Sequence, residues 1–371
     1  MSALFPATLP DVGWGEDETL ALFSAEMGAS SAFLGGEAAL AHMDPPPPEI
    51  AVGISALNAR YNQNLLHPDL SPLATEAEAR VVAWIAEAFH MAAGHMCGGS
   101  TIANLTALWA ARESGARRIV ASKEAHLSIP KAAHILGLDC DIVDVDARGC
   151  LLLDAVSDLH EAALVLTAGT TGRGVIDPLR HPRAREARWL HVDAAWGGPL
   201  RLSRYGALLD GVEAASSVSI SAHKWLFQPK DSALCLFADS AAQDRVAFQG
   251  SYLARPNVGV QGSRGAVGLT LLATLIALGR EGIDERIHRC MTLAEGLASR
   301  LDDDSRTVLK AAPETGVVNW RPTSGVTDES VQSLRGVAST VTIDDETWMR
   351  NVAANPHARL DRVWDRVTAT L

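Results

Sequence analysis

The sequence predicts an α/β protein, with a mostly parallel sheet covered by helices in a large domain and a smaller α/β domain at the C-terminal end. Three observations lead there. Between about residues 75 and 240, short β-branched runs alternate with helix-period stretches. With 371 residues, 47% hydrophobic and 20% charged, the chain carries enough apolar side chains for more than one core. Four consecutive prolines, Pro45 to Pro48, set off what precedes them.

From the N-terminus, residues 1–48 read as an arm with helical fragments around Glu18 to Met27, ending in the prolines as a stiff linker. Residues 49–282 read as the large domain. Thr75, followed three residues later by Glu78, reads as a capping box opening a helix in which Val81, Trp84, Ile85, Ala88 and Phe89 recur at helical spacing. Strands are expected at Ile119-Val120, Ile142 to Val145, Leu164 to Leu166, Trp189 to Val192 and Val218 to Ile220. Ligands of such folds bind beyond the carboxyl ends of the strands, so the residues just after these runs are the places to look for chemistry. Two helices are expected over Gly265 to Arg280 and Ile283 to Leu301. Residues 283–371 read as the small domain, with strands near Gly316 to Trp320 and Ser339 to Ile343 and a closing helix from Ala358 to Thr368.

Charge and cysteine usage exclude several classes. A formal charge of −12 repels nucleic acid and anionic membrane surfaces. The five cysteines are odd in number and form no Cys-x-x-Cys pair, which argues against a disulfide framework and against zinc. The twelve histidines include no pair at a convincing ligand spacing, so no metal is expected. Met1 to Pro10 has no positive region, and no stretch reaches the roughly 18 apolar residues of a membrane span. A cytoplasmic enzyme is the expectation.

Three motifs sit after strands or before helices. Gly98-Gly99-Ser100-Thr101 precedes a helix; glycines let the backbone approach an anion, and hydroxyls and free N–H groups bind it, although a plain helix cap has the same look. In His191-Val192-Asp193-Ala194-Ala195-Trp196-Gly197-Gly198, an acid ends an apolar strand and small residues leave room for a flat ligand. That carboxylate could close a turn, bind a metal or pair with a protonated ring nitrogen. In Ser221-Ala222-His223-Lys224-Trp225, a lysine lies among apolar residues that lower its pKa and make it a nucleophile toward an aldehyde. Together these supply a phosphate cradle, a partner for a ring nitrogen and an amine for an aldehyde, the three things pyridoxal phosphate needs.

The same segments, with Ala125-His126-Leu127-Ser128 and Thr167-Ala168-Gly169-Thr170-Thr171 between them, resemble in order the group II pyridoxal-phosphate-dependent amino-acid decarboxylases. The likeness runs from about Asn62 to Gly282 and resumes at Met349 to Pro356. It implies the aminotransferase-like architecture of fold type I. It also implies that Lys224 holds the cofactor as a Schiff base, Asp193 pairs with the pyridine nitrogen and His126 stacks on the ring. Ser100, Thr101, His223 and Ser221 are implied for the phosphate, Thr171 for the ring substituents or the substrate carboxylate, and Ala195 for packing against the ring. Ser263 lies in a segment similar to one through which a neighbouring subunit reaches the phosphate, so a homodimer with shared active sites is implied.

The implied reaction is decarboxylation of an L-amino acid to its amine. The proton returned to the α-carbon comes, in that family, from a tyrosine on a mobile loop; here the stretch Phe248 to Gln261 is short and Tyr252 is its only tyrosine, placed either for that task or for packing. Other departures are Ile102, where the family often has glutamate, and shorter terminal regions. Trp196 occurs in members acting on acidic or sulfur-bearing amino acids. Asn62, Gln63, Asn64, Arg255 and Arg264 could bracket the substrate. The runner-up is a carbon–carbon or carbon–sulfur lyase using the same cofactor, suggested by the short loop and by Ser263-Arg264-Gly265.

Overall fold

The β-branched runs form five adjacent strands of a seven-stranded sheet in the computed structural model, which describes residues 5–371. Met1 to Leu4, the start of the stretch in which no targeting signal is expected, lie outside the described residues. In chain order come α1 (Glu16–Ser30), α2 (Glu49–Arg60), α3 (Pro72–Ala88), β1 (Ala93–Cys97), α4 (Ser100–Glu113), β2 (Arg118–Ser122), α5 (Ser128–Leu136), β3 (Asp139–Val143) and β4 (Ala162–Thr167). Then follow β5 (Trp189–Asp193), β6 (Ser217–Ser221), β7 (Ala233–Phe237), α6 (Ser240–Asp244), β8 (Ala247–Phe248) and β9 (Asn257–Val258). The strand order is β1-β7-β6-β5-β4-β2-β3, and only β7 runs antiparallel to its neighbours. Strands β4 to β7 are buried along their whole length, as a sheet covered on both faces requires. At the far edge, β3 exposes Asp139 and Asp141, charges that discourage pairing with another chain.

The chain then enters α7 (Val267–Asp303), β10 (Thr307–Leu309), β11 (Val317–Pro322), α8 (Asp328–Ser333), β12 (Ser339–Ile343), β13 (Glu346–Val352) and α9 (Leu360–Thr368). The two expected helices are the two halves of α7, separated by a break at Gly279, whose φ of 63° and ψ of −179° are not helical. Strands β10 to β13 make a second, antiparallel sheet in the order β10-β11-β13-β12. This smaller sheet is tied to the loops above the large one. Trp196 Nε1 donates to Thr315 O at 2.7 Å, Trp225 Nε1 to Ala353 O at 3.1 Å and Arg350 Nε to Thr171 O at 2.8 Å.

One local reading is corrected. Thr75 does not cap α3: Pro72 starts the helix one turn earlier, the Thr75 hydroxyl donates to Ser71 O at 2.9 Å, and Glu78 pairs with Arg264. The segment before the prolines packs against the rest of the chain. Leu40 N donates to Gly336 O at 3.2 Å and Val352 N donates to Leu40 O at 2.6 Å, so this strap is stitched to the C-terminal part of the chain. Helix α1 behaves differently, for none of its residues is buried and Leu20, Phe23 and Met27 face outward. Among the described residues no helix is long and apolar enough to cross a membrane.

Candidate active site

Strand β1 delivers the glycine loop. After Cys97 the backbone turns through Gly99 at φ 142°, a conformation that L side chains rarely adopt, and α4 begins at Ser100 with its first N–H groups free. Gln261 reaches this loop from a point distant in the sequence, its Oε1 accepting from Gly98 N at 2.7 Å. His223 borders the same loop, with its Cε1 3.9 Å from where a side chain on Gly99 would begin. Its Nδ1 accepts from Ser232 N at 3.3 Å, and burial, then Lys230 and Lys224, push its pKa down to about 4. His223 is therefore neutral at pH 7 and carries its proton on Nε2. Ser221 Oγ, buried at the end of β6, has no hydrogen-bond partner among the described residues.

Strand β5 ends in Asp193, which is 3% exposed. Its carboxylate accepts from Asn104 Nδ2 at 2.9 Å, Ala195 N at 3.1 Å and Ser219 Oγ at 3.3 Å, donors that hold it in one orientation. His126 lies in the turn before α5, half-buried, its Nδ1 2.8 Å from Ser128 Oγ. Burial lowers its pKa, opposed by Asp193 and reinforced by Lys224 and Lys131. Ala195 is buried next to the acid. Gly197 permits the close passage of the neighbouring loop, because a Cβ there would meet Ala168 O at 2.5 Å. Trp196, 1% exposed and packed on Trp225 with ring centroids 4.1 Å apart, is a wall of the core.

Lys224 follows β6 in a turn enclosed by the buried Trp225, Leu226 and Phe227. Its amine makes no hydrogen bond among the described residues, and its pKa is lowered by desolvation first, with Asp193 acting the other way. Sequence reasoning passed over Arg350. It is 8% exposed, donates to Thr171 O and to Ser339 Oγ, and has no carboxylate partner among the described residues; burial brings its pKa down to about 10, so it remains a cation. Its place in the Met349 to Pro356 segment was visible, but its proximity to Lys224 was not.

Other expected residues are less gathered. Thr171 is exposed and contributes its carbonyl, while Thr170 is the buried member of the pair. Tyr252 is 72% exposed, which removes the packed-under-the-loop reading within a single chain. Ser263 is exposed, and Ser100 and Thr101 are half-buried at the helix start. Both outer nitrogens of Arg264 are occupied by Glu78, so Arg264 is not free to bracket a substrate. A cavity of about 550 Å³ beside that ion pair includes none of Lys224, Asp193 and His126.

These residues fit pyridoxal phosphate. A glycine loop at a helix start, a neutral imidazole donor and an orphaned buried hydroxyl suit a phosphate. A fixed buried carboxylate suits a ring N–H, and a desolvated amine without a partner suits an aldehyde carbon.

Comparison with known proteins agrees. The pyridoxal-dependent decarboxylase conserved domain matches residues 50–322. The L-2,4-diaminobutyrate decarboxylase of Rhizobium meliloti is 34% identical, the match covering 84% of this chain and 70% of that protein. The aspartate 1-decarboxylase of Aliivibrio fischeri is 29% identical, over 76% of this chain and 63% of its own length. The crystal structure of the glutamate decarboxylase domain of diaminobutyrate-pyruvate transaminase and L-2,4-diaminobutyrate decarboxylase from Vibrio parahaemolyticus superposes with a TM-score of 0.85, covering 98% of this chain and 87% of that one at 23% identity. That of Catharanthus roseus tryptophan decarboxylase in complex with L-tryptophan does so at 0.85, covering 98% and 89% at 19% identity. At these identities the two structures establish the fold. The curated relatives are decarboxylases, which disfavours the carbon–carbon or carbon–sulfur lyase.

Proposed function

Because the chain belongs to the pyridoxal-dependent decarboxylase family, we propose that it removes the α-carboxyl group of an L-amino acid with its cofactor held through Lys224 as a Schiff base. When bound, pyridoxal phosphate supplies a conjugated, positively charged ring that accepts the electron pair left on the α-carbon. Lys224 is suited to the tether because desolvation keeps more of its amine unprotonated than an ordinary lysine has. Asp193 would keep the ring nitrogen protonated, His126 would cover one ring face and Ala195 would pack against it. Ser100, Thr101, His223 and Ser221 would take the phosphate.

The observation that carries this reading is the meeting, at the carboxyl ends of β1, β5 and β6, of the glycine loop, a carboxylate held by three donors and an unpartnered amine. Arg350 supports a narrower statement. The departing carboxylate must shed its charge to leave as carbon dioxide, so a full ion pair with it would stabilise the ground state and slow the step. A buried, unpaired guanidinium therefore serves better as the receptor for a second carboxylate, which favours an acidic amino acid, such as the substrate named for the Aliivibrio fischeri relative, over the basic one named for the Rhizobium meliloti relative.

The apolar side chains of α1 support a homodimer, since a 15-residue helix that buries none of its own residues is marginal in water without a partner surface. In such a dimer Ser263 and Tyr252, both exposed, are free to complete the neighbouring site, the hydroxyl of Tyr252 as proton donor to the α-carbon. Thr171, exposed beside Arg350, would line the substrate entrance, and the cytoplasm is the compartment in which five free thiols persist. The test is a panel of L-amino acids incubated with the loaded enzyme while carbon dioxide and amine are both followed. Equal amounts of each from an acidic amino acid are expected; side-chain cleavage without carbon dioxide would contradict the proposal.

A further inference from the structure

Behind Asp193 and His126 lies a buried chain of hydrogen bonds that runs from Trp189 to the imidazole. Trp189 Nε1 is 2.8 Å from Ser217 Oγ, Ser217 Oγ is 2.8 Å from His191 Nδ1, and His191 Nε2 is 3.0 Å from Asn104 Oδ1. Asn104 Nδ2 is 2.9 Å from both Asp193 Oδ2 and Ser128 Oγ, and Ser128 Oγ is 2.8 Å from His126 Nδ1. We propose that Asn104 is a positioning residue that sets the protons of the ring clamp: one amide hydrogen holds the Asp193 carboxylate and the other, through Ser128, fixes His126 as the neutral Nε2–H tautomer.

Two groups in this hydrogen-bonded chain, an indole and a carboxylate, have only one option each. At one end the indole of Trp189 can only donate. Ser217 accepts that hydrogen bond, and its second lone pair and its own proton leave it able to meet His191 Nδ1 either way. At the other end an ionised carboxylate can only accept, so the nitrogen of Asn104 must face Asp193. With its nitrogen so fixed, Asn104 turns Oδ1 toward His191, which must then donate from Nε2 and accept from Ser217 on Nδ1; the carboxylate thereby removes the ambiguity that an asparagine side chain ordinarily carries. Burial keeps His191 uncharged, its pKa falling to about 4.

Asn104 has two amide hydrogens and two acceptors. Ser128 Oγ receives the second, and the backbone N–H of Ser128 points at His126 Nδ1 from 3.2 Å, which makes that nitrogen an acceptor to which the Ser128 hydroxyl donates as well. Nδ1 is thereby closed as a base and the ring proton lies on Nε2. Charging this ring would set a new N–H against two donors, and burial opposes it too; Asp193 favours the charge, while Lys224 and Lys131 disfavour it. His126 is thus a fixed N–H donor beside the ring. It is not the acid that returns a proton to the α-carbon, because a neutral imidazole that gave up its Nε2 proton would become an anion.

The test is long-range 1H–15N spectroscopy of the cofactor-loaded enzyme labelled with 15N-histidine, the His126 signals being identified by their loss in His126→Gln. The expected result is a single neutral Nε2–H pattern that does not change between about pH 6 and 9. In Asn104→Ala and in Ser128→Ala a second ring form should appear. In Asn104→Ala the loss of one bond to a charged acceptor should lower kcat about 10- to 100-fold, with KM changed by less than about threefold. A wild-type His126 that is charged or Nδ1–H at neutral pH would overturn the proposal, as would ring signals unaltered in both variants. Should Asn104→Ala fail to fold, the wild-type spectrum and Ser128→Ala still decide.

Discussion

Replacing Asp193 by asparagine keeps the shape of the side chain while removing its charge and one acceptor. The carboxylate faces Asn104 Nδ2 on Oδ2, and Ala195 N and Ser219 Oγ on Oδ1. An amide nitrogen placed at the first position meets Asn104 Nδ2, which cannot turn over without losing His191. At the second position it meets the backbone N–H of Ala195, which cannot turn at all. One donor then faces another in either orientation, and a buried unsatisfied donor costs about 1–3 kcal/mol. The charge-assisted bond proposed between Asp193 and the ring nitrogen would be lost as well, about 1.5–3 kcal/mol, or about 10- to 100-fold in turnover. The assay is carbon dioxide release at saturating amino acid and cofactor, alongside urea unfolding of the cofactor-free protein. Turnover within about threefold of wild type, with an unchanged unfolding midpoint, would refute the reasoning.

Further outcomes follow from the same geometry. Because desolvation lowers the Lys224 pKa, the unprotonated amine is present below the ordinary lysine value of 10.5, and the rate of cofactor loading into the apoenzyme should rise and level off below that pH; a rise tracking an ordinary lysine would contradict it. Arg350→Gln should reduce kcat/KM for an acidic amino acid by about 10- to 100-fold, the worth of one hydrogen-bonded charge pair, and leave cofactor affinity unchanged. Tyr252→Phe should leave stability within about 0.5 kcal/mol, since the ring is 72% exposed, while slowing amine formation or diverting it to a carbonyl product.

The strands that build the site could be read because their residues are β-branched and end in polar groups: β4, β5 and β6 lie where Leu164 to Leu166, Trp189 to Val192 and Val218 to Ile220 predict them. Strands β1 and β7, Ala-Gly-His-Met-Cys and Ala-Leu-Cys-Leu-Phe, escaped because neither has a β-branched residue or an alternating face; pairing with each other and with β6 makes them strands. Asp193 and Lys224 announced themselves by following apolar runs. Asn104 did not, because its partners Ser128 and Asp193 lie 24 and 89 positions away, and only the packed sheet brings them within 2.9 Å. Gln261 stands 163 positions from Gly98 and Arg350 stands 179 from Thr171, so both belong to the tertiary structure alone.

The account rests most heavily on Lys224 as the amine that carries the cofactor. Borohydride reduction of the loaded enzyme, followed by mass mapping of its peptides, tests that directly. One reduced pyridoxyl adduct on the peptide containing Lys224, and its absence from Lys224→Ala, is the predicted result; an adduct on another lysine, or none, would contradict the account.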